Sequence, residues 1–357
     1  DYDLHLPLWD KTRAVIKGKY ALEVVRKLIT PPAYNQNNQK SGIDYTAKRN
    51  AWWNRGVLFP AAQRTHASLV GMLGAKPPTV ELGSTLQYME DTADGATASL
   101  DDVVKSIAND VVSIGRAGAL VDMPHNEDGL TRAQMSDVQY TPRIIMYKAE
   151  QVINWREDIR GLIDVRLLET YEDQIDDLSW EVKTQVRRLW LDENGNYIND
   201  VYRDTHLMPD MRSTPRQAGA LLNYIPFQFF GAGENSYKVD DGPLLSLAEI
   251  NIGHFRLDCD NRDNLHYHQM ALTVLKSDND EPVTIDVSAG GFNQIGQQDS
   301  LELVQMDATG AGPSEMERDQ QRMIMAGAQL VQDVSNMTLG AKAMEHGASM
   351  STLKSIS

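Results

Sequence analysis

Residues 243–271 constrain this chain more than any other stretch, because a single long helical pattern changes character halfway along it. Pro243 opens the pattern, and Leu244, Ala248, Ile252, Phe255 and Cys259 recur on one helical face. Further on, Arg256, Asp258, Asp260, Asn261, Arg262, Asp263, His266 and His268 decorate nearly every side. A helix that is polar all round is not a core helix. It bridges solvent or packs laterally against charged neighbours, and copies of itself would be such neighbours. Arg256–Asp260 and Asp258–Arg262 are spaced as i,i+4 pairs, each supporting an isolated helix by only ~0.2–0.5 kcal/mol. That is too little to hold such a rod alone.

The 357 residues suffice for two or three core-bearing regions, at ~100–200 residues per domain. An apolar fraction of 41% and a charged fraction of 24% place the chain among ordinary globular proteins. No run approaches the ~18 apolar residues of a membrane span, and no basic-then-apolar leader opens the chain. It lacks an initiator Met and stops inside a helical pattern, so both ends are expected to be trimmed or incomplete. One cysteine, Cys259, excludes an internal disulfide and fits a reducing cytoplasm. Thirty-four Lys and Arg against 50 Asp and Glu give a net charge of −16. A protein that grips duplex DNA neutralises phosphates and is basic, so an ordinary DNA-binding factor is excluded. A surface past which DNA slides without sticking is not.

Ahead of the long helix, the pattern predicts a helix over Leu6–Leu28, a polar loop over 33–42 and a helix over Tyr45–Leu73 kinked or divided by Pro60. Trp52, Trp53, Val57, Phe59, Ala67 and Val70 are its expected buried residues. Ser99 and Asp102 form a capping-box pattern ahead of Leu100, Val103, Val104, Ile107, Val111 and Ile114, with Gly115 and Gly118 ending that helix before a strand at 119–121. Strands are expected at 143–147, 162–171, 182–191 and 196–203, the last two joined by a hairpin turn at Asp192–Gly195. Residues 206–220 read as loop, and the apolar run Ile225–Phe230 as a buried strand. After the long helix come strands at Val283–Val287 and Leu301–Gln305. Pro313 then opens a helix with Glu315, Glu317 and Asp319 in its first two turns and Met323, Ile324, Ala328 and Val331 as its apolar stripe. The last 20 residues also read as helical.

Little in the chain points to catalysis. GxxxxGK[ST] is missing, which excludes a P-loop motor. Gly310-Ala311-Gly312 leads into a helix and could cradle phosphate, but Glu315 and Glu317 oppose an anion there. Ser277-Asp278-Asn279 and Ser351-x-x-Lys354 stand in reverse β-lactamase order, without K-T-G. His254, Asp258, His266 and His268 invite a metal reading, yet i and i+2 on a helix project ~200° apart, so the last two histidines do not chelate one ion. Acids at 99–110 and 256–263 read as solvated faces before they read as paired hydrolytic carboxylates. Trp52-Trp53 with Arg55 could stack on bases, but within an apolar-periodic helix they read first as core.

Five segments carry a resemblance: SLDDVVKSIANDVVSIGRAGALVDMP (99–124), PRIIMYKAEQVINWR (142–156), IPFQFFGAGE (225–234), PLLSLAEINIGHFRLDCDNRDNLH (243–266) and LELVQMDATGAGPSEMERDQQRMIMAGAQLV (301–331). In this order they cover most of residues 9–331, and the chain resembles the portal proteins of tailed bacteriophages, in the branch long catalogued as a domain of unknown function. The stretch between Ala271 and Pro313 is shorter and more acidic than is usual there. The resemblance implies an α+β, helix-rich subunit: a wing over 1–240, a first stem helix over 243–271, a clip over 272–312 and a second stem helix over 313–332. A tunnel loop over 333–342 and the start of a tunnel helix over 343–357 would follow, with the usual C-terminal crown missing. It further implies a homo-oligomeric ring, usually of twelve, at one capsid vertex, assembled in the host cytoplasm and carried in the virion. DNA is packaged and ejected through its channel. The implied partners are the large terminase subunit, a head–tail adaptor, the major capsid or scaffolding protein and passing double-stranded DNA. No membrane, cofactor, metal or catalytic residue is implied.

On this reading Glu315, Glu317 and Asp319 help line an acidic channel wall that repels phosphate, with Arg318 or Arg322 tied in pairs between subunits. Arg256, Asp258, Asp260, Arg262 and Asp263 make contacts between stems, and Asp278, Asp280, Glu281 and Asp299 form the clip surface that meets partners. Screening limits each charge to a reach of ~8 Å at physiological salt, so the sign of the wall itself decides. Two alternatives stand beside this: another ring-forming head–tail connector or scaffold, and a metal-dependent hydrolase built on His254, Asp258, His266 and His268.

Overall fold

The computed structural model describes residues 2–30, 45–74, 79–123, 141–159, 161–176, 178–217, 219–269, 272–276, 300–304 and 311–331. It is an α+β protein whose contacts divide it into two units.

The first unit comprises Asp1–Leu22, Pro60–Glu249 and Met325–Ser357. It opens with α1 (Tyr2–Lys17), which a left-handed Gly18 (φ 98°) ends; the rest of the helix expected to Leu28 is broken into short helical turns at Lys19–Leu22 and Arg26–Ile29. The helix expected over 45–73 is two helices, α2 (Tyr45–Arg55) in the second unit and α3 (Ala61–Leu73) in the first, divided ahead of Pro60. In α3 the buried residues are Ala62 and Leu69. Ala67, expected inside, is exposed and Val70 only half-buried, so the inward face is rotated from the anticipated one.

Helix α4 (Leu100–Ile114) begins as its capping pattern requires: the Ser99 hydroxyl accepts from the Asp102 amide at 3.1 Å, while the Asp102 carboxylate accepts from the Ser99 amide. Gly115, at φ 83°, ends it; Gly118, expected to share that role, lies inside β1 (Arg116–Asp122). A side chain at Gly115 would press on the Asp241 carbonyl, and one at Gly242 on the carbonyl of Ile114. Two glycines thus let the end of α4 and the approach to the long helix touch backbone to backbone.

Strand β1 is the centre of an antiparallel three-stranded sheet, between β2 (Arg143–Lys148) and β10 (Phe227–Gly231). A meander of five strands follows: β3 (Val152–Asp158), β4 (Gly161–Gln174), β5 (Trp180–Leu191), β6 (Tyr197–Arg203) and β7 (His206–Leu207). β3 was not foreseen, and 206–220 holds the small strand pair β8 (Arg216–Gln217) and β9 (Ala220–Leu221) besides β7. Leu120, Tyr147, Val165, Leu167, Leu189, Phe227 and Phe229 fill the core that these strands share. Arg116 is buried among them, its guanidinium over the rings of Phe229 and Trp155 and donating to the carbonyls of Tyr237 and Lys238. Burial pushes it down to about 10, against the opposing pull of Asp240.

The second unit comprises Glu23–Phe59 and Ile250–Ile324. Its main elements are α2, most of the long helix α5 (Leu245–Gln269), the paired strands β11 (Leu272–Lys276) and β12 (Ser300–Val304), and most of α6 (Ala311–Val331). β11 was not foreseen, whereas β12 matches the expected 301–305 to within a residue. The strand expected at 283–287, the loop at 33–42 and the helix over the last 20 residues lie outside the described residues.

Candidate functional site

The second unit joins the features that the sequence singled out. Ile252, Phe255 and Cys259, the part of the foreseen apolar face of α5 that lies in this unit, are buried, as are Leu244 and Ala248 of the first unit. Trp53 meets Phe255 edge-on at 5.2 Å, and the Arg26 guanidinium lies 4.9 Å from the Trp53 ring. Trp52 is fully buried, and its indole N–H donates to Asp260 at 2.7 Å. One turn on, Arg55 pairs with Asp263. These two contacts share one offset in sequence, so α2 and α5 run in the same sense where they meet.

The chain reverses at Gly56. The Val57 amide donates to Asp258 at 2.6 Å, and the Phe59 carbonyl accepts from the Asn251 side chain at 2.9 Å, so residues 57–59 return along α5 toward its start. Gly56 sits at the turning point, where any side chain would collide with the Cys259 sulfur and the Phe255 ring. Val57 and Phe59 therefore deliver backbone groups to α5. Val57, expected to be buried, is exposed.

These contacts give the charges of α5 partners inside the chain, alongside any that other copies would supply. Asp258 is 5% exposed and accepts from Val57 and from Arg262 (2.8 Å). Arg256, expected to pair with Asp260, instead donates to the carbonyls of Ile29 and Leu28 at 2.8 and 3.1 Å, while Asp260 serves Trp52. All five side chains assigned to contacts between stems, Arg256, Asp258, Asp260, Arg262 and Asp263, thus have partners inside one chain. A buried carboxylate costs several kcal/mol unless it is paired and hydrogen-bonded, and the segment 23–59 supplies those partners.

Helix α6 returns beside α5. The Gln320 side chain meets His254 Nε2 at 3.3 Å, and Gly312 lies against Asn261, so the two helices are antiparallel. The same sense of pairing continues into the strands, from Leu272 with Val304 to Lys276 with Ser300. From Ile250 outward and back to Ile324, the described elements make one helix–strand–strand–helix hairpin.

On α6 the residues assigned to the channel wall are not equivalent. Asp319 is buried and accepts from Arg322 at 3.0 Å, whereas Glu317, Arg318 and Arg322 are exposed and Glu315 is half-buried. Arg318 pairs with Glu315 at 2.7 Å, so both arginines expected to bridge subunits have partners on their own helix. In the foreseen apolar stripe Met323 is buried and Ile324 exposed.

His254 is buried against the Phe59 ring and has no hydrogen bond at Nδ1. Burial lowers its pKa, while Asp258 and Asp319 act in the opposite direction. His266 is exposed, and the side chain of His268 lies outside the described residues. Among the described residues no three His, Cys, Asp or Glu side chains gather as a metal site. Asp278, Asp280, Glu281 and Asp299, the expected clip surface, also lie outside them, as do the residues expected to form a tunnel loop and tunnel helix and both β-lactamase-like motifs. No described helix is long and apolar enough to cross a membrane.

The role of 23–59 is what sequence reasoning missed. Its signal was the tryptophan pair followed by Arg55 and Gly56: two large apolar rings, a cation and a residue without a side chain, within five positions.

The site is thus a paired-helix hairpin with a β-ribbon between its arms, braced by a separate segment of the same chain. Residues 243–357 match a family described as a domain of unknown function (DUF4055), and the match begins two residues before α5 and takes in both long helices and both strands. No curated protein matches the chain.

Proposed function

We propose that this chain is a bacteriophage portal subunit, forming a ring at one capsid vertex through which double-stranded DNA is packaged and ejected. The observation that carries the reading is the antiparallel helix–strand–strand–helix excursion over 250–324, in which His254 faces Gln320 and Leu272 faces Val304. That order fits the stem–clip–stem arrangement which the sequence resemblance implies, and the family match over 243–357 falls on the same stretch. The strongly acidic composition fits a conduit that must not bind phosphate, and Glu317 on α6 is an exposed acid available to such a wall. The expected partners are further copies of the chain, the large terminase subunit, a head–tail adaptor and the capsid or scaffolding protein, with no catalytic step assigned to any residue.

Negative-stain microscopy of the purified chain tests this. The expected outcome is rings of about twelve subunits with a central channel. A small thin ring would favour a head–tail connector, and a protein that stays monomeric at every concentration would end the proposal.

A further inference from the structure

Strands β4 and β5 outrun their neighbours. β3 pairs with β4 only as far as Leu167, and β6 pairs with β5 only from Val186 onward. The rungs from Glu169↔Gln185 to Gln174↔Trp180 therefore form a two-stranded arm whose edges meet no other strand among the described residues. At ~3.4 Å per residue the arm extends about 20 Å. Arg203 braces its root, stacking on Tyr171 at 3.8 Å and donating to Gln185. The tip is bare: Leu178 is 95% exposed and Trp180 60%, with Ile175 and Val182 similarly open. A lone ribbon is marginally stable in water, and an exposed apolar tip with open edges is a surface built for a partner.

The charge of the arm selects among partners. Residues 172–183 hold Glu172, Asp173, Asp176, Asp177 and Glu181 against Lys183 alone, and Lys183 is already paired with Asp173 at 2.7 Å. Two such arms repel each other, which excludes a symmetric arm-to-arm contact. The complementary surface lies on the second unit, on the turn Arg26–Ile29 and the residues just before it. There Val24, 87% exposed, and Leu28 stand beside exposed Lys27. Arg26 donates to Asn50 and the Arg49 carbonyl, which holds this turn against α2 with Arg49 and exposed Lys48. The one acid, Glu23, is paired with Arg26 at 2.7 Å. One surface is acidic and apolar, the other basic and apolar.

We infer that the β4–β5 arm of one copy docks, through Leu178, Trp180 and its acids, on the Val24–Lys27–Leu28 surface of the next copy. The two patches differ, so the contact is head-to-tail, the kind that closes into a ring rather than stopping at a dimer. It also gives copies a contact that does not draw on the α5 charges, which have partners within the chain. This inference rests on the ring reading above and names the surfaces that would build it.

The chain's single natural cysteine, Cys259, is buried, which permits a clean cross-linking test. Val24→Cys with Leu178→Cys, oxidised at a concentration where microscopy shows rings, is expected to give a ladder of covalent dimers, trimers and larger species. Either single variant is expected to stay at monomer. Rings without a ladder, or a product that stops at dimer, would overturn the arm contact and leave the ring reading intact; an absence of rings would remove both. A charge test guards against cysteine-induced misfolding. Glu172→Lys with Glu181→Lys is expected to raise the concentration needed for rings about tenfold, and adding Lys27→Glu with Lys48→Glu is expected to restore it. Reversal without rescue in a folded protein would count against the contact.

Discussion

The two units solve the same problem, a buried carboxylate, in opposite ways. In the five-stranded sheet Asp200 is fully buried, and it accepts from Trp190 at 2.9 Å and from Arg212 at 2.6 and 3.0 Å. Those partners lie ten and twelve residues away, Trp190 on the same meander and Arg212 just beyond its last strand. In the helical unit buried Asp258 accepts from Arg262 four residues on but also from Val57, 201 residues away, while Asp260, itself exposed, accepts from buried Trp52, 208 residues away. Local partners arrive with the hairpin that carries them, whereas remote ones require the chain to close a long loop first. Asp200 thus needs nothing beyond its own stretch of chain, although Arg187 of the same sheet reaches Asp122 on β1. The long helix depends on a separate segment, and its stability should respond to changes made far from it in sequence.

The sharpest way to break this contrast is Trp52→Ala. It removes a fully buried indole and orphans Asp260 on α5, with an expected cost of about 3–5 kcal/mol. Hydrogen exchange should show α5 losing protection while β4 and β5 keep theirs; equal loss in both would refute the division. Asp258→Ala comes next, because it strands the Val57 amide and frees Arg262, at about 2 kcal/mol. Hydrogen exchange should place that loss in α5 and α2 and leave β4 and β5 protected. A change in the sheet alone would show that 57–59 does not brace the helix.

The same contrast explains what could be read in advance. The capping box at Ser99, the hairpin at 192–195 and the buried face of α5 each depend on residues within a few positions of one another, so the pattern in the sequence is the contact in the fold. The partners of Arg256 and Asp260 were misassigned because an i,i+4 spacing is worth only ~0.2–0.5 kcal/mol. Tertiary donors and acceptors, the indole of Trp52 and the carbonyls of Leu28 and Ile29, outbid it. The alternation of Val152–Asp158 went unread because one edge strand of seven residues, with polar side chains on its open face, offers few apolar positions to mark it. The α5–α6 hairpin was anticipated from the resemblance, whereas the bracing by 23–59 needs three dimensions to be seen.

A pH effect sharpens the comparison next. His254 stands between Phe59, Asp258 on its own helix, and Asp319 and Gln320 on α6. Burial holds its folded pKa below the unfolded value of about 6.5, despite the two carboxylates. Below that value the unfolded chain binds the proton more readily than the folded one. Stability is therefore full above pH 6.5 and falls as acid approaches the folded pKa. Melts between pH 7.5 and 5 should show this slope, reduced in His254→Gln. His66, whose pKa burial also lowers, belongs to the first unit and should contribute its own slope unchanged in that variant. An unaltered slope in His254→Gln would mean that the imidazole already charges freely in the fold.

The smallest expected effect tests the sheet side. Ser99 caps α4 with reciprocal bonds to Asp102, so the partners lie three residues apart and form with the first turn. Ser99→Ala removes the acceptor for the Asp102 amide and should cost about 1 kcal/mol. Because the contact is local, the loss should stay in α4 and its neighbours, leaving the Trp52–Asp260 region as protected as before. If a change this small at Ser99 loosened α5 as much as Asp258→Ala does, Gly115 and Gly242 would be the route, since there the end of α4 touches the approach to α5. The two units would then share one cooperative transition, and locality of partners would cease to be what separates them.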